Sequence, residues 1–291
     1  MATGDLVTED WGFEYRDFAF GGTSDYLVAP GMTGLFDLPE VVSSDQQRLR
    51  RHGLHPGDDF MLSREIVIPV EITADDTTTW ETRLQALKTA LAVDPDRDDP
   101  EDPLVFQVPG IAEGRKVRVN ARPRGLVGVL DLSWYYEIPV VNLRFLATKP
   151  WIYDNDETTV TSSILAGSSS GITWPLVWPL VWGTVTASTF TATNDGTNRA
   201  EFVATIPGPV TNPVIQHVDR GLELAFEITV EAGQTLVVDT ENRTVLLNGT
   251  ANRYYVKSGD WFNLAPGDNT LSYRADSGSS NISIVYRSTW S

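Results

Sequence analysis

Three histidines, one run of carboxylates and no cysteine bound the chemistry open to this chain of 291 residues. His52 and His55 share a Gly/Pro-rich loop, while His217 follows a strand-like pattern far downstream. A Ser/His/Asp set can be assembled on paper from any chain this rich in serine, so it carries no information here. No glycine-rich phosphate loop ending in Lys occurs. Without cysteine there is neither a disulfide framework nor thiolate chemistry. The run Asp94, Asp96, Asp98, Asp99, Glu101 and Asp102 opens with calcium-loop spacing. Its sixth position is Asp99 where the loop needs Gly, and its twelfth is Val105 where it needs Glu. It reads as a solvated acidic loop, and no catalytic set, metal or cofactor is expected.

The formal net charge is −17. Up to Glu157 there are 15 basic and 28 acidic residues, so most of the surplus lies in the first half. Such a surface repels phosphate and argues against tight nucleic-acid binding. No stretch is long and apolar enough for a membrane segment. The N-terminal residues lack the basic and apolar regions of a secretory signal, so synthesis in a reducing cytoplasm is expected.

The elements that must position any site are mostly strands. Arg64 to Thr73 puts Ile66, Ile68, Val70 and Ile72 on one face at a period of two. Residues 75–78 lead into a helix, with Thr78 and Glu81 at capping-box spacing. Trp80, Leu84, Leu87 and Leu91 form its apolar stripe, and a lone amphipathic helix must cover a sheet. Residues 104–108, 116–121 and 134–145 read as further strands. The polar segment from Pro39 to Asp59 reads as a loop. Its Arg48, Arg50 and Arg51 form a solvated or locally paired face, or else a partner site.

After Trp151 the chain turns polar and Ser/Thr/Gly-rich, which suits a linker over residues 154–183. Within it Trp174, Trp178 and Trp182 recur in a Trp-Pro-Leu-Val repeat whose prolines exclude continuous helix. This reads as an extended arm, packed on the chain's own second domain or against a neighbouring subunit. Beyond it, Leu222, Leu224, Phe226, Ile228 and Val230 alternate with wet residues. Short runs follow at turn spacing, separated by Asn248-Gly249 and Ala265-Pro266-Gly267-Asp268. Many short antiparallel strands of this kind argue for a jelly-roll β-sandwich. Such sandwiches commonly bind sugars, and Trp261, Tyr254, Tyr255 and Asn263 would form an aromatic platform; ordinary core and edge packing is the competing account.

The order Asp239…Val245…Asn248-Gly249, then Pro266-Gly267-Asp268-Asn269, then Tyr286-Arg287…Trp290 resembles the C-terminal domain of distal tail proteins from long, non-contractile-tailed bacteriophages. The early block, from the Phe13–Phe20 segment through Arg64-Glu65-Ile66 to the helix, resembles their N-terminal domain. The resemblance implies a mainly β protein: a barrel-like ring-forming domain with one α-helix at 1–153, and a jelly-roll (galectin-like) sandwich at 184–291. It implies a homo-hexameric ring at the distal end of the virion tail. The partners implied are the tail tube protein and the tail-tip, tail-fibre or receptor-binding proteins. DNA would pass through the ring, and the acidic loop Asp94–Asp102 would either face its lumen or lie solvated on the ring exterior. No catalysis is implied.

Overall fold

The computed structural model describes residues 2–93, 99–128, 140–163, 165–166 and 188–291. It divides into two compact units, residues 1–155 with Ser291, and residues 156–290.

The first domain opens with β1 (Gly12–Tyr15), β2 (Phe18–Gly21) and β3 (Tyr26–Val28). β4 (Val41–Ser43), β5 (Gln46–Gln47), β6 (Leu54–His55) and β7 (Asp59–Met61) follow. Then come β8 (Arg64–Ile72), the helix α1 (Thr77–Ala90), β9 (Asp102–Gln107), β10 (Val117–Gly128), β11 (Val140–Ala147) and β12 (Ile152–Asp154). One antiparallel sheet runs β2-β1-β9-β10-β11-β8-β3, with β12 also beside β10. Its ends meet: Phe18 on β2 and Tyr26 on β3 lie edge to face at 4.9 Å, so the sheet is a nearly closed barrel. Ile66, Ile68, Val70 and Ile72 are fully buried, the face that the alternation predicts. Phe13 stacks on Phe20 at 5.3 Å and Phe106 at 5.9 Å, and Tyr15 meets Phe145 edge-on at 5.1 Å.

Helix α1 covers β8 with Leu84 and Leu87 buried and Trp80 and Leu91 half-buried. Its N-cap differs from the capping box read from sequence. Asp76, in extended backbone, accepts from the Thr79 amide and the Thr79 hydroxyl, each at 2.8 Å. A carboxylate two residues earlier supplies a charged acceptor where the helix exposes unpaired N–H groups. Those bonds hold the Asp76 carboxyl below its usual range.

The segment read as a polar loop is a two-stranded ribbon. β4 pairs with β7 and β5 with β6, all antiparallel. Its foot is set by Arg64, which is 2% exposed. The Arg64 Nε donates to the Pro150 carbonyl at 2.8 Å. Its Nη1 donates to the carbonyls of Gly34 at 2.7 Å and Asp37 at 2.9 Å.

The second domain contains β13 (Thr158–Ser163), β14 (Leu165–Ala166), β15 (Thr189–Asn194), β16 (Phe202–Pro207), β17 (Val210–Thr211), β18 (Val214–His217), β19 (Leu222–Phe226) and β20 (Thr229–Val230). β21 (Thr235–Asp239), β22 (Thr244–Leu247), β23 (Ala251–Asn252), β24 (Lys257–Gly259), β25 (Gly267–Ala275), β26 (Ser277–Gly278), β27 (Asn281–Tyr286) and β28 (Thr289–Trp290) complete it. One sheet runs β13-β27-β16-β21-β22-β23. The other runs β14-β25-β18-β19-β24, with β15 also on β25. Between them lies one apolar core that includes Phe202, Phe226, Leu236, Val238, Leu271 and Ile284.

The first part of the linker expected at 154–183 is strand, while 167–183 lie outside the described residues. Its residues 158–163 pair in register with β27, from Thr158↔Tyr286 to Ser163↔Asn281. An edge strand is wet on much of its surface, and Thr and Ser supply β-compatible side chains without apolar exposure. Leu165 and Ala166 add a short parallel pairing with β25. Trp174, Trp178 and Trp182 lie outside the described residues, as does the first half of the strand read at 134–145, whose second half is in β11.

Leu84→Ala is expected to cost about 2–5 kcal/mol, since it empties a buried site beneath the helix; chemical denaturation measures it. Arg83→Ala, harmless if the residue were merely solvated, is expected to be measurably destabilising as well. The Arg83 guanidinium pairs with Asp25 at 2.8 Å and donates to the Thr73 carbonyl, contacts that the truncation removes.

A fragment spanning Asp156–Ser291 should unfold in one cooperative transition. One beginning at Gly171 lacks β13 and should be less stable; equal stability would remove β13 from the domain.

Candidate functional site

The residues that carry the resemblance in the second domain shape turns. Asn269 is fully buried. Its Oδ1 accepts from the Ala265 amide at 2.8 Å and lies 3.0 Å from His217 Nε2. Its Nδ2 donates to the carbonyls of Ala265 at 2.8 Å and Gly267 at 2.9 Å. One amide thus binds both sides of the Pro266-Gly267 turn, where Gly267 sits at φ +86. Asp239 does the same work at the next hairpin: its Oδ1 accepts from the amides of Glu241 at 2.9 Å and Asn242 at 3.0 Å. Asn248, at φ +55, closes the other end of that hairpin, its Oδ1 accepting from the Thr235 amide at 2.9 Å.

Of the four platform residues, the structure brings two together. Tyr254 and Trp261 stack with centroids 6.3 Å apart, and the Lys257 ammonium lies 5.2 Å from the Trp261 ring centre. Trp261 is half-buried against the core, so one of its faces is committed to packing. Tyr255 is 77% exposed beside this pair, and Asn263 is half-buried.

The acidic run separates by position. Asp94, Asp96 and Asp98 lie outside the described residues. Asp99 is exposed and accepts from the Glu101 amide at 3.0 Å, and Glu101 accepts from the Thr148 amide at 2.9 Å. Asp102 leaves the loop reading altogether. It is the first residue of β9, largely buried, and paired with the Arg16 guanidinium at 2.6 Å. A carboxylate this buried must be paired, and here the Arg16 guanidinium supplies the opposite charge with the Tyr15 hydroxyl at 3.5 Å. Among the described residues no three His, Cys, Asp or Glu are grouped to hold a metal, and no helix is long and apolar enough to cross a membrane.

Sequence reading missed the ribbon of residues 40–62. The available signal was a pair of short apolar runs, Val41-Val42 and Phe60-Met61-Leu62, at equal distance from a Gly-containing tip.

Residues 195–290 match the family model of the siphovirus-type tail component, C-terminal domain, SPP1_Dit. The match covers most of the second domain. The crystal structure of SPP1 Dit (gp 19.1), described as a paradigm of the hub adsorption apparatus in phages infecting Gram-positive bacteria, matches with TM-score 0.64 at 14% identity, over 96% of this chain and 98% of that one. This chain thus has the distal tail protein fold across both domains. Two chains of the phage P2 baseplate in its activated conformation, with Ca and with Sr, each match at TM-score 0.45 and 10% identity, over 95% of this chain and 97% of theirs. No curated protein matches in sequence. Within the matched residues the Asp239–Gly249 and Pro266–Asn269 motifs are turn-makers.

Burial in this domain pushes the Tyr273 phenol up to about 12 from 10.0, with the Ser280 hydroxyl pulling weakly the other way. Burial also raises Tyr286, whose hydroxyl donates to the Thr193 carbonyl at 2.8 Å. Both phenols stay neutral in the fold at a pH where the unfolded chain ionises. Their contribution is fully present below the unfolded pKa and is lost as pH rises through the folded one. Alkaline titration of the Asp156–Ser291 fragment should therefore show stability falling from pH 10.0 towards about 12, and Tyr273→Phe should flatten that slope.

Proposed function

We propose that this chain is a structural protein of a siphophage virion, the distal tail hub. Copies form a closed homo-hexameric ring that joins the tail tube protein to the tail-tip, tail-fibre or receptor-binding proteins and lets DNA pass. The observation that carries this reading is the tail-component match at residues 195–290, set in a chain whose complete two-domain fold follows that of a hub protein. In this reading the protein is made in the host cytoplasm, ends in the tail and performs no catalysis. The first domain lines the channel and the second faces outward.

An acidic or neutral channel wall suits DNA passage, because each phosphate held by Lys or Arg would add a barrier to movement. Asp94, Asp96, Asp98, Asp99 and Glu101 are the carboxylates assigned to that wall. Asp102 is not among them, being bound to Arg16.

A second reading, a carbohydrate-binding module for host-surface attachment, draws on the stacked Tyr254 and Trp261 with Tyr255 exposed beside them. It is compatible with the first, since an outward-facing domain can present such a platform.

Electron micrographs of the purified protein test the hub directly. Rings with a central hole, and a particle mass that is a multiple of the chain's 32.1 kDa, are the expected result. Isolated globules of single-chain mass at every concentration would overturn it.

A further inference from the structure

The first domain holds Trp11 in a backbone conformation that bulky side chains avoid. Its φ is +63, in the left-handed region. Backbone contacts enforce it. The Trp11 amide donates to the Gln107 carbonyl at 2.7 Å, and the Trp11 carbonyl accepts from the Gly22 amide at 3.0 Å. Gly21 passes so close that a Cβ there would stand 2.0 Å from the same carbonyl. The indole held in this way is 43% exposed. Strain of this kind persists where the surrounding structure over-determines it, and it gathers at ligand clamps.

Trp11 is one wall of a cavity of about 470 Å³, with Val28, Pro30, Met32 and Phe36 around it. Among the described residues no charged side chain lines it. The segment between β3 and Phe36 is pinned to β8: the Ala29 amide donates to the Pro69 carbonyl at 2.9 Å, and the Thr33 amide to the Val67 carbonyl at 3.0 Å. Phe36 is 55% exposed, so two aromatic rings stand open to water on a preformed apolar site. A cavity walled by aromatic, proline and methionine side chains suits an apolar peptide. Proline-containing segments fit such walls well, because they have little freedom left to lose on binding.

The chain itself carries a segment of that chemistry. Residues 171–190 contain no charged side chain in a protein whose net charge is −17, and 174–182 read Trp-Pro-Leu-Val-Trp-Pro-Leu-Val-Trp. Residues 167–187 join Ala166 to Ser188. At about 3.3 Å per extended residue, half of that length spans roughly 30 Å, enough to reach another molecule and return. We propose that the Trp-Pro-Leu-Val repeat of one copy docks in the Trp11–Phe36 cavity of a second copy. The inference rests on the hub reading, which sets copies side by side. Each copy then presents one cavity and one repeat, so the two surfaces saturate each other around a closed ring.

The chain has no native cysteine, so cross-linking reports the contact directly. Met32→Cys protein is mixed with Val177→Cys protein and treated with a short bis-maleimide. An adduct between the two chains is expected under conditions where the wild type assembles. A peptide readout separates docking from ring formation. Full-length protein carrying Trp174→Ser/Trp178→Ser/Trp182→Ser should bind a fluorescein-labelled peptide of residues 173–183. Adding Phe36→Ser, a change at an exposed residue, should weaken that binding about tenfold or more and leave the melting temperature unchanged. Trp11→Asn should weaken it equally, since Asn tolerates the left-handed backbone. Rings whose cysteine pair gives no adduct, with peptide affinity untouched by either cavity substitution, would overturn the docking and leave the hub standing. Single chains at every concentration would overturn both. A double-cysteine chain that links only to itself, or a cavity that takes an unrelated proline-rich peptide as tightly as the repeat, would also reject the proposal.

Discussion

The first domain depends on a cation placed where cations are costly. Arg64 is buried at the start of β8, and burial pushes its guanidinium pKa down. Arginine nonetheless keeps its charge, and its flat fork can serve several acceptors at once. Here those acceptors are backbone carbonyls at Gly34, Asp37 and Pro150. One side chain thus ties together the chain entering the ribbon, the strand leaving it and the segment that follows β11. A lysine would offer a point charge in place of a fork, and a neutral residue would strand three carbonyls away from water.

The second domain solves the same problem with neutral groups. Asn269 fills both ends of its amide, and Asn194 donates to the Asn198 carbonyl at 2.7 Å while accepting from the Gly196 amide at 3.0 Å. A buried amide with all partners supplied fixes a turn without the desolvation cost of an ion. Such turns set where each strand of the sandwich reverses, and so which residues face the core.

Periodicity made much of this legible. The β8 alternation and the α1 stripe both point at buried faces, because a core rewards one period at a time. The end of the helix was less legible: Asp76 and Thr78 are both good caps, and only backbone geometry chooses between them. Asp102 looked like its neighbours because a carboxylate run has no period; its distinction is Arg16, 86 residues away in sequence. The strand at 158–163 was hidden by a composition shared between edge strands and linkers. The ribbon was hidden because its apolar residues are few and face water, so no core imposed an alternation on them. The pairing of Tyr254 with Trp261 also needed coordinates, since seven positions apart in a turn-rich stretch fixes no geometry.

The ribbon's ladder is interrupted between β4–β7 and β5–β6, where the Ser44 hydroxyl accepts from the Asp58 amide and donates to its carbonyl. Gly57 packs so tightly there that a Cβ would lie 2.4 Å from the Ser44 hydroxyl. Neither edge of the ribbon therefore offers more than three consecutive strand residues for backbone pairing. A long uninterrupted edge would accept any passing strand and propagate into fibres. The interruption denies that template, so the ribbon exposes apolar side chains to water but no long backbone seed for amyloid-like growth.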